Sequence, residues 1–168
     1  MTIFLCGFMG CGKTTIGQIT AKKLGCNFYD TDELIVEHQN MTIPEIFAKK
    51  GEPYFRKVEA DIVKSMCGKS AVIACGGGAM LNPDTAKAVA GAGESIVFLD
   101  IDFNTCYERI SDDANRPLVV NNTKEQLKAI FDARYEIYKN HSTICIDASG
   151  SPIETSEIIA NTVRRNIC

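Results

Sequence analysis

The sequence predicts an α/β protein of three layers, with helices on both sides of a five-stranded parallel sheet. Two observations support this prediction. Short apolar runs alternate along the chain with longer stretches that are compatible with helices, and several of the runs are apolar at nearly every position. Strands of that kind are buried on both faces. Their alternation with helices is typical of a parallel sheet covered on each side.

The predicted elements follow one another in a simple order. The apolar runs predict strands at residues 2–6, 27–29, 71–75, 95–99 and 143–146. The stretches between and after them predict helices at residues 13–24, 33–37, 43–50, 54–67, 83–90, 105–110, 124–139 and 152–165. One long polar interruption, "ISDDANRPLVVNNT", occupies residues 110–123. Because a loop of that length in a compact domain is usually functional, we expect a lid there.

Length and composition indicate one globular domain over residues 1–168. The chain is 45% hydrophobic and 23% charged, as ordinary globular proteins are. No apolar run approaches the roughly 20 residues that span a bilayer, so we expect no membrane partner and a location in the cytoplasm. We also expect a monomer. The net charge of −3 argues against a nucleic-acid partner, which would need a concentrated basic face. The eight cysteines are expected to be reduced thiols.

The stretch "GFMGCGKTT" at residues 7–15 has the pattern Gly-x-x-x-x-Gly-Lys-Thr between the first predicted strand and the first predicted helix. This context favours a phosphate-binding loop over an incidental glycine-rich turn. Glycines let successive backbone N–H groups curve around an anion, and free N–H groups at a helix start add a favourable partial charge. We expect Lys13 to lie against the β- and γ-phosphates of a nucleotide. Thr14 would offer its hydroxyl to Mg²⁺.

Two carboxylates follow the second predicted strand, in "YDTDELI" at residues 29–35. Asp30 and Asp32 would lie at the carboxyl edge of the sheet, where ligands bind, so that one could serve a metal and the other a substrate. Alternatively, Asp30 or Thr31 caps the next helix, with Asp32 and Glu33 complementing its dipole. Both interpretations remain open at this point.

The strand predicted at residues 71–75 ends in Cys75 and three glycines, without the acid that orders magnesium in many phosphate-loop proteins. A backbone without side chains at a strand end allows a ring-shaped ligand to lie against the main chain. A flexible turn explains one or two glycines more readily than three. The glycines at residues 76–78 therefore favour a substrate site.

The phosphate loop and five further elements resemble the shikimate kinase family in order and spacing. The five elements are "DTD" at 30–32, "GEPYFRKVE" at 51–59, "GGG" at 76–78, "RP" at 116–117 and "RYEIY" at 134–138. The likeness covers nearly the whole chain. It implies a phosphate-loop fold of the nucleoside monophosphate kinase type, with a substrate-binding segment at about 31–60 and a lid at about 110–123.

The resemblance also implies how the acceptor would be held. Asp32 would contact the ring hydroxyls of shikimate and accept a proton from the attacking one, while Arg56 and Arg134 would grip the carboxylate through guanidinium forks. Glu59, one helical turn after Arg56, is placed to orient its guanidinium, although seen alone the pair would be a surface ion pair of little energy. The residues implied in substrate binding are Asp32, Arg56, Gly76, Gly77, Gly78 and Arg134.

On the nucleotide side, the resemblance implies that Arg116 closes over the phosphates and stabilises the transition state. Arg109 either stacks on adenine or makes a favourable interaction with its helix dipole. The loop at 147–152 would flank adenine, and Asp30 would lie near Mg²⁺ through water. The residues implied in nucleotide binding are Gly10, Cys11, Gly12, Lys13, Thr14, Thr15, Arg109, Arg116 and Ser151.

Two departures from the family pattern stand out. Cys75 occupies a position that is usually Ser or Thr, which puts a contact to a magnesium-bound water in doubt. "KNHS" at 139–142 replaces a more usual small apolar residue. His141 and His38 have no evident catalytic partners, and we expect both to be structural or solvated.

The implied reaction is direct transfer of the γ-phosphoryl group of ATP to a secondary alcohol of shikimate, with Lys13, Mg²⁺ and Arg116 neutralising charge. Three alternatives remain. Gluconate kinase would share the loop and fold, but it should not need the two arginines around the glycines. A nucleotide-binding switch would show no acceptor-dependent ADP release. A nucleoside monophosphate kinase would need more room than the short acceptor segment suggests.

Overall fold

The computed structural model describes residues 1–112 and 117–165. In this part of the chain, five parallel strands form one sheet in the order β2-β3-β1-β4-β5. The strands are β1 (Ile3–Cys6), β2 (Asn27–Asp30), β3 (Ala71–Ala74), β4 (Ser95–Asp100) and β5 (Ile144–Asp147). The predicted five-stranded parallel α/β sheet is therefore confirmed. β1 lies between β3 and β4, so the chain passes to opposite sides of β1, and ligands of open α/β sheets bind beyond the carboxyl ends at such a position.

Helices connect the strands. They are α1 (Lys13–Leu24), α2 (Thr31–Gln39), α3 (Ile43–Lys50), α4 (Glu52–Ser65), α5 (Pro83–Gly91), α6 (Phe103–Ile110), α7 (Pro117–Val120), α8 (Lys124–His141) and α9 (Pro152–Arg165), with a 3₁₀ turn at Ala79–Leu81. The predicted bounds of α1, α3 and α9 agree with the structure. The helix predicted at 33–37 begins earlier because the Asp30 side chain accepts a hydrogen bond from the backbone N–H of Asp32.

The core surrounds the three central strands. Every residue of β1 and β3, and all of β4 up to Leu99, is buried. Strands buried at successive positions must be covered on both faces, as the continuous apolar runs predicted. α1 packs against α9, while α4, α5 and α8 pack together as a second group. The carboxyl ends of the central strands remain the edge at which polar loops converge.

A smaller apolar cluster holds the segment α2–α4 together. Ile35, Ile46, Phe55 and Val58 are buried in it, one or more from each of the three helices. Phe55 is 5% exposed, so its burial determines which way the neighbouring Arg56 can point. The segment in which the sequence predicts substrate binding thus has a packed interior of its own.

The polar interruption at 110–123 contains the short helix α7, which the sequence did not predict. Residues 113–116, and with them Arg116, lie outside the described residues. The lid therefore stays a prediction. Across residues 1–112 and 117–165, no helix combines the length and apolar character that crossing a membrane requires.

Candidate active site

The phosphate loop joins β1 to α1 and curves around one ammonium group. Nζ of Lys13 donates to the carbonyl oxygens of Gly7 and Phe8 at 2.9 and 3.1 Å. Gly10 has φ of 81°, and a Cβ there would lie 2.5 Å from the carbonyl oxygen of Cys106, so both backbone conformation and space require glycine. The loop is therefore shaped by its own glycines around Lys13.

The start of α1 is suited to an anion. Gly12 precedes the helix and offers no side chain to cap it, so the first backbone N–H groups remain available to a phosphate. Cys11 is buried beneath the loop, whereas Thr14 and Thr15 are exposed on its outer side. The residues that the sequence assigns to the nucleotide here are contiguous: Gly10, Cys11, Gly12, Lys13, Thr14 and Thr15.

Asp30 links this loop to the acceptor side. Its Oδ2 accepts a hydrogen bond from Oγ1 of Thr14 at 3.0 Å, and its Oδ1 accepts one from the backbone N–H of Asp32 at 3.0 Å. Asp30 is thus a helix cap, as one sequence interpretation held, and it also contacts the phosphate-loop threonine. A hydroxyl and a carboxylate side by side are the hard oxygen donors that Mg²⁺ prefers. Among the described residues, no group of three or more His, Cys, Asp or Glu side chains could hold a metal by itself.

The three glycines after β3 bring the acceptor residues together. A Cβ on Gly76 would lie 2.5 Å from Oδ1 of Asp32. A Cβ on Gly77 would lie 4.0 Å from Nη1 of Arg134, and a Cβ on Gly78 would overlap the guanidinium of Arg56. Side chains from α2, α4 and α8 therefore converge on one short turn. Asp32, Arg56 and Arg134, which the resemblance implies in substrate binding, thus lie at the same turn.

Arg56 is held by two glutamates of its own helix. Nη1 donates to Oε2 of Glu59 at 2.9 Å, while Nε and Nη2 donate to Oε1 of Glu52 at 3.2 and 3.1 Å. Burial opposes the charge of Arg56, but its hydrogen bonds to the two glutamates outweigh that cost and raise its pKa. Burial, which the Arg56 pairing only partly offsets, raises the pKa of Glu59. With a side chain only 4% exposed, Glu59 does not form the surface ion pair that the motif alone would suggest.

Two hydroxyl groups hold the glycine turn in place, a role that sequence reasoning gave to neither of them. The backbone N–H of Gly76 donates to Oγ1 of the fully buried Thr31 at 2.8 Å. The hydroxyl of Tyr138 donates to the carbonyl of Gly77. Burial raises the pKa of Tyr138 to about 12, so at neutral pH it keeps the proton that it donates. The sequence points to these two residues only through their positions: Thr31 lies within the "DTD" motif, and Tyr138 lies one helical turn after Arg134.

Cys75 continues the sheet into this turn. Its backbone N–H donates to the carbonyl of Leu5 at 3.0 Å, and its side chain is buried. Burial raises the pKa of the Cys75 thiol well above its usual value, so it remains neutral. This position therefore holds a buried, uncharged thiol, where the family resemblance implied a hydroxyl.

The outer nucleotide residues occupy two further positions. Nη1 of Arg109 donates to the carbonyl of Gly10 at 3.0 Å, which places this exposed side chain on the phosphate loop. Ser151 precedes α9, and its N–H and Oγ donate to Oε2 of Glu154 at 2.9 and 2.7 Å. A cleft of about 540 Å³ lies beside it, lined in part by Asp147, Ser149 and Gly150. The adenine contacts of Arg109 and Ser151 stay predictions, as does the role of Arg116.

The hydrogen bonds of the two histidines are made to groups other than the acceptor residues. Nδ1 of His141 lies 2.8 Å from the carbonyl oxygen of Met80, and Nδ1 of His38 lies 3.0 Å from Nε2 of the neighbouring Gln39. The first contact ties the end of α8 to the 3₁₀ turn. This placement agrees with the structural or solvated role expected of both side chains.

The family model that this chain matches, a bacterial relative and two solved structures all carry the same family name. The family model described as shikimate kinase matches residues 9–166. A shikimate kinase of Streptococcus gordonii is 43% identical over 163 residues, which cover 95% of this chain and 98% of that protein. The crystal structure of shikimate kinase from Aquifex aeolicus superposes with a TM-score of 0.86 at 34% identity, covering 99% of this chain and 98% of that one. Shikimate kinase from Acinetobacter baumannii in complex with shikimate superposes with a TM-score of 0.90 at 31% identity, covering 98% and 93%.

Proposed function

Because the chain belongs to the shikimate kinase family, it is an ATP-dependent phosphotransferase, and we propose that the residues gathered around the glycine turn and the phosphate loop carry out its reaction. The enzyme transfers the γ-phosphoryl group of ATP to the 3-hydroxyl of shikimate, and it forms 3-phosphoshikimate and ADP on the route to chorismate and the aromatic amino acids. The observation that carries the residue assignment is the convergence of Asp32, Arg56 and Arg134 on residues 76–78.

ATP would be bound by the loop and the start of α1. The backbone N–H groups between Gly10 and Thr15 would surround the β-phosphate, and Lys13 would move its ammonium from the loop carbonyls toward the transferred group. An ATP-dependent kinase uses a divalent cation, and we assign this role to Mg²⁺, held by Thr14 directly and by Asp30 through water. The Thr14–Asp30 hydrogen bond supports this assignment because it places two hard oxygen donors side by side. When bound, the cation neutralises charge on the phosphate oxygens.

Shikimate would lie against the glycine turn. Its carboxylate would be bound by Arg56 and Arg134, with a backbone N–H of the turn, and its ring hydroxyls would face Asp32. Only a main chain without side chains leaves room for the ring there. Two guanidiniums and one carboxylate that converge on so small a surface suit a hydroxylated acid, whereas a gluconate kinase should have no comparable need for both arginines.

The chemistry is one displacement. The 3-hydroxyl oxygen bonds to the γ-phosphorus as the bond from that phosphorus to the β-γ bridging oxygen breaks, and the hydroxyl proton passes to a carboxylate oxygen of Asp32. ADP leaves with the bridging oxygen. Lys13 and Arg116 would stabilise the charge on the equatorial oxygens, so catalysis rests on placement and electrostatics. The contact of Asp30 with both Thr14 and Asp32 supports this mechanism, because one residue connects the two halves of the site.

The remaining proposals concern the domain and its segments, the adenine contacts, the oligomeric state and the location of the enzyme. We propose one kinase domain over residues 1–168, with the substrate-binding segment at about 31–60 and a lid at about 110–123 that carries Arg116. Arg109 and the loop around Ser151 would flank adenine beside the cleft described above. We also propose a monomer, because Asp32, Arg56 and Arg134 meet at one turn without a second subunit, and a location in the cytoplasm, where ATP is supplied.

ADP release tests the function and the metal together. Purified protein with ATP and Mg²⁺ should release ADP when shikimate is added, whereas gluconate should leave the rate at background. EDTA should abolish the activity, and excess Mg²⁺ should restore it. Ca²⁺ should restore far less, because it takes more ligands at longer distances than Mg²⁺. Equal ADP release with and without shikimate would contradict the assigned acceptor, and full activity in EDTA would contradict the metal.

Replacing Gly78 by alanine should weaken acceptor binding without unfolding the protein. The φ of Gly78 is −99°, which any residue adopts, but the new Cβ would lie 2.7 Å from Cζ of Arg56. The flexible arginine would therefore swing away, and KM for shikimate should rise roughly 10–100-fold. Steady-state kinetics and thermal melting measure the two effects.

The matched control for this prediction is Gly91→Ala. Gly91 ends α5, and no atom lies within 4 Å of its added Cβ. Gly91→Ala should leave KM for shikimate unchanged. It should leave the melting temperature unchanged or raise it slightly. A normal KM in Gly78→Ala would show that Arg56 does not bind the acceptor from its observed position.

A further inference from the structure

Arg56 already uses most of its hydrogen-bonding capacity on acids of its own helix. A guanidinium has five N–H donors, and three of them are donated here: two to one oxygen of Glu52 and one to Glu59. One N–H on each terminal nitrogen remains. The edge formed by Nε and Nη2, which is one of the two edges that match a carboxylate, is taken by Glu52.

The two glutamates differ in how firmly they hold Arg56. The side chain of Glu59 is 4% exposed, whereas that of Glu52 is 61% exposed. A buried carboxylate cannot leave its cation without a large cost, but an exposed ion pair four residues apart on a helix contributes little and is readily exchanged with water. Glu59 is therefore the fixed partner of Arg56, and Glu52 is the replaceable one.

We propose that Glu52 is an internal competitor of the substrate carboxylate for the side edge of Arg56, and that it lowers the affinity of the site for both the acid and the phosphorylated product. The inference rests on the proposed role of Arg56 in binding the acceptor. A carboxylate that displaces Glu52 takes two parallel hydrogen bonds from Nε and Nη2. When the product leaves, Glu52 returns to the same two donors, so release does not require unpaired N–H groups on Arg56.

The charges next to Arg56 favour competition between Glu52 and the substrate carboxylate over a role of Glu52 in positioning Arg56 for the substrate. Both glutamates pair with Arg56, but only Glu52 is exposed, so an incoming carboxylate would approach the guanidinium beside the carboxylate of Glu52. Removing the carboxylate of Glu52 should therefore favour the binding of both the acid and the product, because each presents a carboxylate to the same two donors.

Glu52→Gln tests the proposal while preserving the size of the side chain. KM for shikimate and the inhibition constant of 3-phosphoshikimate should each fall roughly two- to fivefold, since the substitution removes only an exposed ion pair. KM for ATP should not change. Asp132→Asn is the matched control, because Asp132 also forms an exposed ion pair four residues along a helix, with Lys128, and its removal changes the net charge equally. It should leave all three constants unaltered.

Two further measurements separate direct competition from a general charge effect. The methyl ester of shikimate lacks the carboxylate, so Glu52→Gln should not improve its KM. Salt at about 0.5 M screens distant charges, yet the improvement for the acid should persist there because one group is replaced by another at the same donors. Equal improvement of ester and acid, or an improvement that salt abolishes, would overturn the proposal.

The direction in which KM for shikimate changes in Glu52→Gln also shows whether Glu52 competes with the substrate or positions Arg56 for it. A higher KM for shikimate in Glu52→Gln would mean that Glu52 positions Arg56 for the substrate, and an unchanged KM would mean that it has no part in binding; either result overturns the proposal. The Arg56→Lys variant identifies a failure of the premise. If Arg56→Lys leaves KM for shikimate unchanged, then the proposed role of Arg56 is wrong, whatever Glu52 does.

Discussion

Asn in place of Asp32 is expected to lower kcat for shikimate phosphorylation by about 10²–10⁴-fold, the range usual for loss of a positioned general base. The amide has nearly the same shape as the carboxylate, so it should fill the same space against Gly76. It cannot take the proton of the attacking hydroxyl. Nucleotide binding should be retained, since the phosphate loop does not depend on that charge. Steady-state kinetics and equilibrium titration with a fluorescent ATP analogue measure the two properties.

Glu33→Gln is the control for Asp32→Asn. Glu33 is the next residue of the same helical turn, is exposed and carries the same charge, so its replacement tests for an effect of net charge or of helix-terminal charge. It should keep kcat within about twofold, because the charge of the exposed Glu33 is screened by water and salt. If Asp32→Asn retained most of its activity, Asp32 would not be the proton acceptor, although shikimate could still be the substrate.

Lysine in place of Arg56 should reduce kcat/KM for shikimate by roughly 30- to 700-fold, equivalent to about 2–4 kcal/mol. Lysine keeps the positive charge, but its ammonium is a single point and cannot pair with Glu59 and span a substrate carboxylate at once. Most of the loss should appear in KM. The corresponding change at Arg134 should act in the same direction, because its Nη1 lies 4.0 Å from a Cβ built on Gly77 and so belongs to the same turn.

The control for the arginine variants is Arg164→Lys. Arg164 donates to the backbone carbonyl of Lys23 at 3.1 Å, at the far end of α9, and its replacement should leave catalysis unchanged. The methyl ester of shikimate gives a second check. Its kcat/KM should be low with the native enzyme, and Arg56→Lys should lower it little further. A large additional loss with the ester would show that Arg56 acts on something other than the carboxylate.

The nucleotide half of the site was predictable because its signal is local. Glycine, lysine and threonine occur at set spacings between a strand and a helix, and those spacings alone place backbone N–H groups and one ammonium around an anion. In the structure Gly10 has a positive φ, Nζ of Lys13 donates to two carbonyls of the loop, and Thr14 donates to Asp30. The nucleotide contacts themselves stay predictions. Asp30 could be assigned to the same edge because parallel strands all present their carboxyl ends together.

The acceptor half was predictable only through the resemblance of several separated motifs to one family. Nothing local to "FRKVE" reveals that Glu59 is buried, and the motif by itself favoured a surface pair. Burial of Glu59 follows from the way α2, α3 and α4 pack around Ile46 and Phe55, which is a property of the whole segment. For the same reason Glu52, Thr31 and Tyr138 had no assigned partners before the fold was known.

Local sequence was thus sufficient for the parallel sheet and the phosphate loop, because period, spacing and residue type act over a few positions of the chain. The acceptor acid and arginines were assigned only through the resemblance of separated motifs to one family. Tertiary structure alone decided that Gly78 lies under Arg56, that Thr31 and Tyr138 anchor the glycine turn, and that Glu52 shares the guanidinium with Glu59. The contacts at the turn join residues up to 61 positions apart. Their geometry depends on how helices pack across the sheet edge, which no short stretch of residues encodes.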